Sequence, residues 1–358
     1  MKEFLVPALV FGLSFAVTPL IRRFALRIGA LDYPDSRKIH RQAMPLLGGL
    51  AIYLSFWPVA ALTFLLLKGE GPLWGLFWGS TIIVALGLYD DLKGLSYKAK
   101  LAGQFAAALV LLAYNIRIEF ITLPFKDLTF LGLFVIPLTL LWVVGLTNAV
   151  NLIDGVDGLA TGVSAIAAIV MFALTWKEFP LISILVLALA GAALGFLPYN
   201  FFPARIFLGD TGSLFLGFML AGFSIMGLTK QATLTTLLIP AIIFGLPITD
   251  TFYAIWRRFR NGQPIFKADK GHIHHRLLGL GLNARQTVVI LYLSSICFGI
   301  FAFVFDRLSG PGAYLIPVVF LAFVFGLKHL GVLGNLLSAF GGLSYQEKQE
   351  QEQKRIRR

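Results

Sequence analysis

Charged residues are scarce in this chain: Asp, Glu, Lys and Arg make up 13% of it, whereas 58% of the residues are hydrophobic. So few polar side chains cannot cover a soluble globule of 358 residues. Cys297 is the only cysteine, which excludes an internal disulfide and a thiolate metal cluster. With a mean hydropathy of +0.82, this composition indicates a protein that crosses a membrane several times.

Apolar runs recur along the chain, each about long enough to cross a hydrocarbon core of ~30 Å as a helix. They predict an all-α, polytopic membrane bundle of eleven spans, the first retained because no cleavage site follows it. Pro240 and Pro247 predict a kink in the ninth span. The spans lie near 3–21, 45–67, 74–89, 101–116, 131–149, 159–176, 181–198, 213–227, 232–256, 287–305 and 313–330.

Most of the 30 lysines and arginines fall on one side of this predicted bundle. That side consists of five loops and a tail: 22–44, 90–100, 150–158, 199–212, 257–286 and 331–358. Basic segments are retained in the cytoplasm, so the N-terminus is expected outside and the C-terminus inside. Residues 1–330 then form one transmembrane domain, and 331–358 a charged cytoplasmic tail. The net charge of +12 suits anionic lipids and a phosphorylated substrate, and does not imply nucleic acid.

Nine of the eleven aspartates lie on this same face. They are Asp32, Asp35, Asp90, Asp91, Asp154, Asp157, Asp210, Asp250 and Asp269. Ionisable groups at a membrane are costly, so their clustering indicates a functional site.

Asp90 and Asp91 are adjacent carboxylates at the inner end of the third span, and Lys100 follows in the same loop. A cation such as Mg²⁺ relieves the repulsion between neighbouring acids, and it takes one or two carboxylates plus substrate phosphates. A solvated turn with basic anchors explains an isolated Asp-Asp pair better, so the other motifs must decide.

A polar segment without basic residues joins the fifth and sixth spans. Its side chains recur at steps of three, so in a helix they would share one face: Asn148, Asn151, Asp154 and Asp157. Gly155 would let the backbone approach a ligand closely. The alternative is an Asx-rich turn that caps the sixth span, but capping does not need four Asn or Asp residues.

Asp210 lies before the eighth span in the segment Phe207-Leu-Gly-Asp-Thr-Gly-Ser. Its carboxylate is a candidate metal ligand, although for Asp210 taken alone an N-cap of the eighth helix is the favoured role. Phe207 offers a ring on which a base could stack, and the alternative is an ordinary interfacial aromatic.

Three histidines within four residues, followed by an arginine, stand out in the largest loop: His272, His274, His275 and Arg276. Their donors could bind the oxygens of a pyrophosphate or a sugar. A zinc site lacks a nearby Cys or Glu ligand, and a basic loop at an anionic surface would leave the histidines unexplained. Lys38 and His40 in the first loop are expected to form another anion-binding edge. Asp250 is expected to pair with Arg257 or Arg258, outside the site.

Taken together, four motifs resemble the polyprenyl-phosphate N-acetylhexosamine-1-phosphate transferases. In chain order they are Asp90-Asp91, Asn151-Leu-Ile-Asp154-Gly-Val-Asp157-Gly, Phe207-Leu-Gly-Asp210-Thr-Gly-Ser and His272-Ile-His-His. Several spaced motifs in register make the resemblance specific. It implies transfer of a sugar-1-phosphate from a UDP-sugar to undecaprenyl phosphate, release of UMP, and a requirement for Mg²⁺ or Mn²⁺. It also implies a catalytic domain in the bacterial cytoplasmic membrane with its site on the inner face.

The resemblance implies a role for each motif residue. Asp210 would coordinate the metal with help from Asn151, Lys100 would neutralise phosphate charge, and Asp90 would activate the lipid phosphate. Asp91 and Asp154 would position metal or phosphate. Gly155, Asp157 and Phe207 would lie around the uracil. The other residues expected at the substrate, from the chemistry of their side chains, are Lys38, His40, His272, His274, His275 and Arg276. A lipid phosphate is already largely ionised near neutral pH, which favours direct attack over a covalent phospho-enzyme.

The donor expected from the resemblance is UDP-GlcNAc. The peptidoglycan branch, which uses UDP-MurNAc-pentapeptide, has three consecutive histidines followed by an acid, whereas this chain has His272-Ile-His-His-Arg276. The difference is typical of the branch that starts teichoic acid or O-antigen chains. The pentapeptide or another UDP-N-acetylhexosamine is the alternative donor, and the oligomeric state stays open, with a homodimer among the options.

Two other protein classes share parts of the pattern. The segment Asp154-Gly-Val-Asp157-Gly is similar to the opening aspartates of CDP-alcohol phosphotransferases, but no further Asp-x-x-x-Asp follows on the same helix and eleven spans are too many. A secondary transporter would carry its carboxylates near the membrane midplane, whereas here they lie at one interface.

Asp90→Asn and Asp210→Asn are expected to abolish turnover while the protein stays folded, because each removes one charge at nearly constant side-chain volume. UMP release by the purified variants measures turnover, and gel filtration checks folding. Wild-type rates from either variant would refute the assigned roles.

Overall fold

Helices dominate the computed structural model, which describes residues 4–34, 42–66, 71–122, 128–228, 237–264 and 271–307. The helices are α1 (Leu5–Ile28), α2 (Gly48–Leu66), α3 (Pro72–Lys93), α4 (Tyr97–Ala113), α5 (Val135–Ile153), α6 (Leu159–Thr175), α7 (Pro180–Asn200), α8 (Gly209–Gly227), α9 (Leu238–Ile243), α10 (Gly245–Arg260), α11 (Ile273–Gly279) and α12 (Ala284–Arg307). Two short antiparallel hairpins join helices: β1 (Leu31–Asp32) with β2 (Met44–Pro45), and β3 (Phe120–Thr122) with β4 (Leu128–Phe130).

Seven helices in the described ranges are long and apolar enough to cross a membrane, and α6 is a shorter apolar helix. The seven are α1, α2, α3, α5 with the turn before it, α7, α8 and α12. The expectation of a polytopic, all-α membrane protein is therefore confirmed. The predicted eleventh span, 313–330, and the tail, 331–358, lie outside the described residues.

The described part of the predicted ninth span is divided into two helices. Phe244 separates α9 from α10, and Pro247 lies in the first turn of α10, where its missing N–H removes no helical bond. Along α10, Phe252, Trp256 and Phe259 are at least half exposed and share one face. The opposite face carries Asp250, which is 3% exposed. The expected kink is thus a full break, followed by an amphipathic helix.

α8 lies at the centre of the described bundle, and every residue from Thr211 to Gly227 is buried. α2, α3, α5 and α6 pack around it. Glycines make this packing close: the backbone of Gly49 in α2 lies against Gly212, and Gly87 in α3 lies against Thr211. The sequence of α8 is accordingly apolar on all sides, as expected for a helix surrounded by other helices.

One buried amide pair aligns α4 with α5. Asn148 Nδ2 donates to Gln104 Oε1 at 2.6 Å, and Gln104 Nε2 donates to Asn148 Oδ1 at 3.2 Å. Lys100 lies one turn before Gln104, and Asn151 lies about one turn after Asn148. The pair therefore brings both side chains to the same end of the bundle, at the N-terminus of α8.

Gly49→Ala is expected to destabilise the protein by about 1–3 kcal/mol, because a Cβ there would overlap the Gly212 backbone. Gly145→Ala is the matched control: Gly145 is an exposed glycine of α5 with nothing within 4 Å of its added Cβ. Helix propensity should make that change neutral or stabilising by up to ~1 kcal/mol. Thermal unfolding in detergent compares the two variants, and equal melting temperatures would contradict the close α2–α8 packing.

Candidate active site

A cavity of about 830 Å³ opens at the end of the bundle where α8 begins. The C-terminal ends of α3, α5 and α7 and the loop before α8 contribute to its wall. Nine residues selected from the sequence line it: Asp90, Asp91, Asn151, Asp154, Gly155, Asp157, Phe207, Asp210 and His275. Motifs separated by up to 185 positions, from Asp90 to His275, thus meet in one place.

Lys100 bridges two carboxylates in this cavity. Its Nζ lies 2.6 Å from Asp90 Oδ2 and also contacts Asp210 Oδ2. All three side chains are mostly buried, so the attraction between them is weakly screened. Two carboxylates from different helices therefore already hold one cation between them.

Asn151 fixes the other side of Asp210. Its Nδ2 donates to Asp210 Oδ1 at 2.9 Å and to Ser213 Oγ at 2.8 Å. The sequence predicted Asn151 and Asp210 as partners at one site, and the structure brings them into contact. The N-cap role for Asp210 was wrong: α8 begins at Gly209, and the Asp210 carboxylate faces Lys100 and Asn151.

Asp91 caps α8 instead. Its Oδ1 accepts from the Asp210 N–H at 2.8 Å, and its Oδ2 accepts from the Thr211 N–H at 3.0 Å and the Thr211 hydroxyl at 2.6 Å. A carboxylate is favourable at a helix N-terminus, where the N–H groups are unpaired and the helix dipole is positive. The neighbours Asp90 and Asp91 thus face different partners: Asp90 contacts Lys100, and Asp91 holds the helix that carries Asp210.

The polar segment after α5 is a turn and not a continuous helix, because α5 ends at Ile153. Asp154 lies in the cavity wall, where desolvation raises its pKa well above 3.8; the charges of Asp210, Asp91 and Asp157 raise it further. Asp157 Oδ2 accepts from the Ala204 N–H at 2.9 Å, which ties the turn to the loop before α8. The N-cap residue of α6 is Gly158, so the N-cap position itself holds neither an Asn nor an Asp.

The histidine segment was predicted to bind substrate directly. In the structure, only one of its three histidines lines the cavity. His275 lines the cavity, whereas His272 and His274 are 5% and 3% exposed and lie behind it. Burial lowers the pKa of His274 to about 3, helped by the charges of His275 and His272, so His274 is neutral at physiological pH. Arg276 donates to the Tyr253 hydroxyl at 3.1 Å, with its guanidinium over the Tyr253 ring.

Three contacts at the site were not expected from the sequence. Asp250 bonds to His272 Nδ1 at 2.9 Å, whereas Arg257 or Arg258 was the predicted partner. The Thr211 hydroxyl helps Asp91, and the Tyr292 hydroxyl donates to the Gly158 carbonyl at 2.6 Å. Tyr292 lies outside the quoted motifs, and the motifs that contain Thr211 and His272 do not show which partner each side chain contacts. Lys38 and His40, which were predicted to bind an anion, lie outside the described residues.

The oxygen-rich donor set fits a hard divalent cation. Within the described ranges, no three His, Cys, Asp or Glu side chains form a complete metal cage. Mg²⁺ does not need one, since it usually takes one or two carboxylates and completes its shell with waters and substrate phosphates. Asp210 with Asn151, and Asp90 across Lys100, offer such a partial shell in a cavity large enough for a phosphorylated ligand.

Comparison with known proteins points to one family. Residues 73–228 match the sequence profile described as glycosyl transferase family 4. A Bacillus subtilis protein named probable undecaprenyl-phosphate N-acetylglucosaminyl 1-phosphate transferase is 44% identical over 80% of this chain and 80% of its own length. A Thermotoga maritima protein named undecaprenyl-phosphate alpha-N-acetylglucosaminyl 1-phosphate transferase is 30% identical over 80% of this chain and 86% of its own. A phospho-N-acetylmuramoyl-pentapeptide-transferase of Listeria monocytogenes is 33% identical over 75% and 89%.

Gly209→Ala is expected to displace the Asp91 carboxylate, because the added Cβ would lie 2.5 Å from Asp91 Oδ2. Gly29→Ala is the matched control: both glycines have a φ near +70°, at +71° and +72°, but nothing lies within 4 Å of a Cβ at Gly29. Both variants should carry the left-handed backbone cost of about 1–2 kcal/mol. Only Gly209→Ala should lose turnover, by ~10-fold or more through misplacement of Asp210. Equal turnover in the two variants would contradict the role of the cap.

Proposed function

The chain belongs to glycosyl transferase family 4, and we propose that it transfers N-acetylglucosamine-1-phosphate from UDP-GlcNAc to undecaprenyl phosphate. An oxygen of the lipid phosphate attacks the phosphorus next to the sugar, the bond from that phosphorus to UMP breaks, and a lipid pyrophosphate sugar forms. The observation that carries the proposal is the contact of Lys100 with Asp90 and Asp210, two carboxylates that line one cavity. This arrangement suits the alignment and charge neutralisation that phosphoryl transfer requires.

Each side chain has a task in this reaction. Asp210 and Asn151 would hold Mg²⁺ or Mn²⁺, which would neutralise charge on the pyrophosphate. Lys100 moves from the two carboxylates to the phosphate oxygens. Asp90, at the end of α3, orients the attacking lipid phosphate, which needs little deprotonation near neutral pH. Direct attack therefore needs no covalent phospho-enzyme.

The remaining lining residues bind the donor in this proposal. Gly155, Asp157 and Phe207 surround the uracil, Asp154 positions metal or phosphate, and His275 faces the pyrophosphate or the sugar. Their places in the cavity wall support these roles. His272 and His274 act from behind the wall, and Arg276 is proposed to bind donor oxygens. Lys38 and His40 are proposed to complete the anion-binding edge.

The membrane arrangement follows from the same proposal. Eleven spans, with the N-terminus outside and the C-terminus inside, place the cavity at the cytoplasmic face of a bacterial membrane. There a soluble nucleotide sugar meets a membrane lipid. Residues 1–330 form the catalytic domain, and 331–358 form a cytoplasmic tail. The exposed aromatic face of α10 supports a membrane surface beside the cavity, since aromatic side chains favour the membrane interface.

UDP-GlcNAc is the proposed donor because two relatives, at 44% and 30% identity, carry N-acetylglucosaminyl names. The segment His272-Ile-His-His-Arg276 supports the same donor. The Listeria relative, at 33% identity, makes UDP-MurNAc-pentapeptide the second candidate. The lipid-linked GlcNAc would start a cell-envelope polysaccharide such as a teichoic acid or an O-antigen.

The proposal predicts UMP release when purified protein in detergent is given undecaprenyl phosphate, Mg²⁺ and UDP-GlcNAc. EDTA should abolish the release. The protein supplies only part of the metal shell and the substrate completes it, so a chelator can remove the metal. Release from UDP-MurNAc-pentapeptide alone would move the chain to the second candidate. No UMP from either donor would contradict the proposed reaction.

A further inference from the structure

Asp250 is a buried carboxylate on α10 that the proposed reaction does not use. It is 3% exposed and points away from the exposed aromatic face of its helix. Its Oδ2 lies 2.9 Å from His272 Nδ1, and its Oδ1 accepts from the Ile273 N–H at 2.9 Å. Both oxygens are therefore engaged by the start of the histidine segment.

The three histidine rings link the residue that bonds to Asp250 with the cavity. The rings of His272 and His274 are parallel, 5.8 Å apart with an interplanar angle of 3°. The His274 ring in turn lies 4.3 Å from the ring of His275, which lines the cavity. His274 Nε2 also faces the Cα of Gly155 so closely that an added Cβ there would overlap it.

The Asp250 contacts are strong because they are desolvated. Removing one partner of a buried, charge-assisted pair leaves the other without water or protein to replace it. A neighbouring tie, from Arg257 Nη1 to the Gly271 carbonyl at 2.9 Å, holds the same segment on α10. Loss of Asp250 should therefore loosen the histidine segment without releasing it from the helix.

We propose that Asp250 is a positioning residue, which holds His272 and the first turn of α11 so that His274 packs on Gly155 and His275 reaches the donor. This inference rests on the proposed function for its effect on the donor, but the contact itself does not depend on that function. One face of α10 would then lie at the membrane, and the opposite face would support the donor site.

The test compares Asp250→Ala, Asp250→Asn and a control, Asp306→Asn, which changes a half-buried acid of α12 outside the cavity wall. Asp250→Ala should raise the KM for UDP-GlcNAc ~10-fold or more through misplacement of His275, with a smaller change in kcat. Asp250→Asn should show a smaller rise, because its amide oxygen still accepts from Ile273. The control should keep the wild-type KM.

Two further readouts separate positioning from general damage. Amide hydrogen exchange should speed up in residues 272–279 of Asp250→Ala, and stay unchanged in α8. The double variant Asp250→Ala/His272→Ala should be no worse than the more severe single variant, since the two side chains act as one unit. If Asp250→Ala does not fold, Asp250→Asn replaces it in the three measurements: the KM for UDP-GlcNAc, hydrogen exchange and the double variant with His272→Ala.

A wild-type KM with unchanged exchange would overturn the inference, as would additive losses in the double variant or a loss in kcat alone. Failure of the proposed function would be seen separately, as a wild-type protein that releases no UMP. In that case hydrogen exchange still decides whether Asp250 holds the histidine segment.

Discussion

The arrangement of this site depends on one hydrogen-bonded contact, the capping of α8 by Asp91 of α3. α8 is surrounded by other helices, so the unpaired N–H groups of its first turn cannot all be satisfied by bulk water. The Asp91 carboxylate accepts from two of them and from the Thr211 hydroxyl. Because the cap comes from another helix, it fixes the end of α3 to the start of α8. Asp90 and Asp210 are then brought to the same ammonium group of Lys100.

The same contact explains why two adjacent carboxylates can lie in a mostly apolar protein. Asp91 is stabilised by helix N–H groups and the positive end of a helix dipole, and Asp90 by a lysine. Each carboxylate therefore has its own partners. The Gln104–Asn148 pair adds the alignment of α4 with α5, so that Lys100 and Asn151 approach Asp210 from two sides. The site is thus built from helix ends, each positioned by a contact one turn or less away.

The sequence predicted the helical membrane fold and nine of the residues that line the cavity, because composition and the spacing of Asn and Asp are local properties. Asn151 and Asp210 could be paired because their motifs resemble those of a known family. Partners between helices could not be predicted in the same way. Periodicity shows which residues share a face of one helix, but not which other helix that face meets. For that reason Asp210 was considered as a cap, Asp250 was assigned to arginines, and His272 was expected at the substrate.

The most direct test of this account is the position of a bound metal. Crystals of the protein grown with Mn²⁺ and UDP-GlcNAc would identify manganese by the change in its anomalous scattering across the manganese absorption edge. The account predicts one manganese peak at the Asp210 carboxylate, within ligand distance of Asn151 or of the donor phosphates, with Lys100 shifted away from Asp210. A peak away from Asp210, for example at Asp250 and His272, would contradict it.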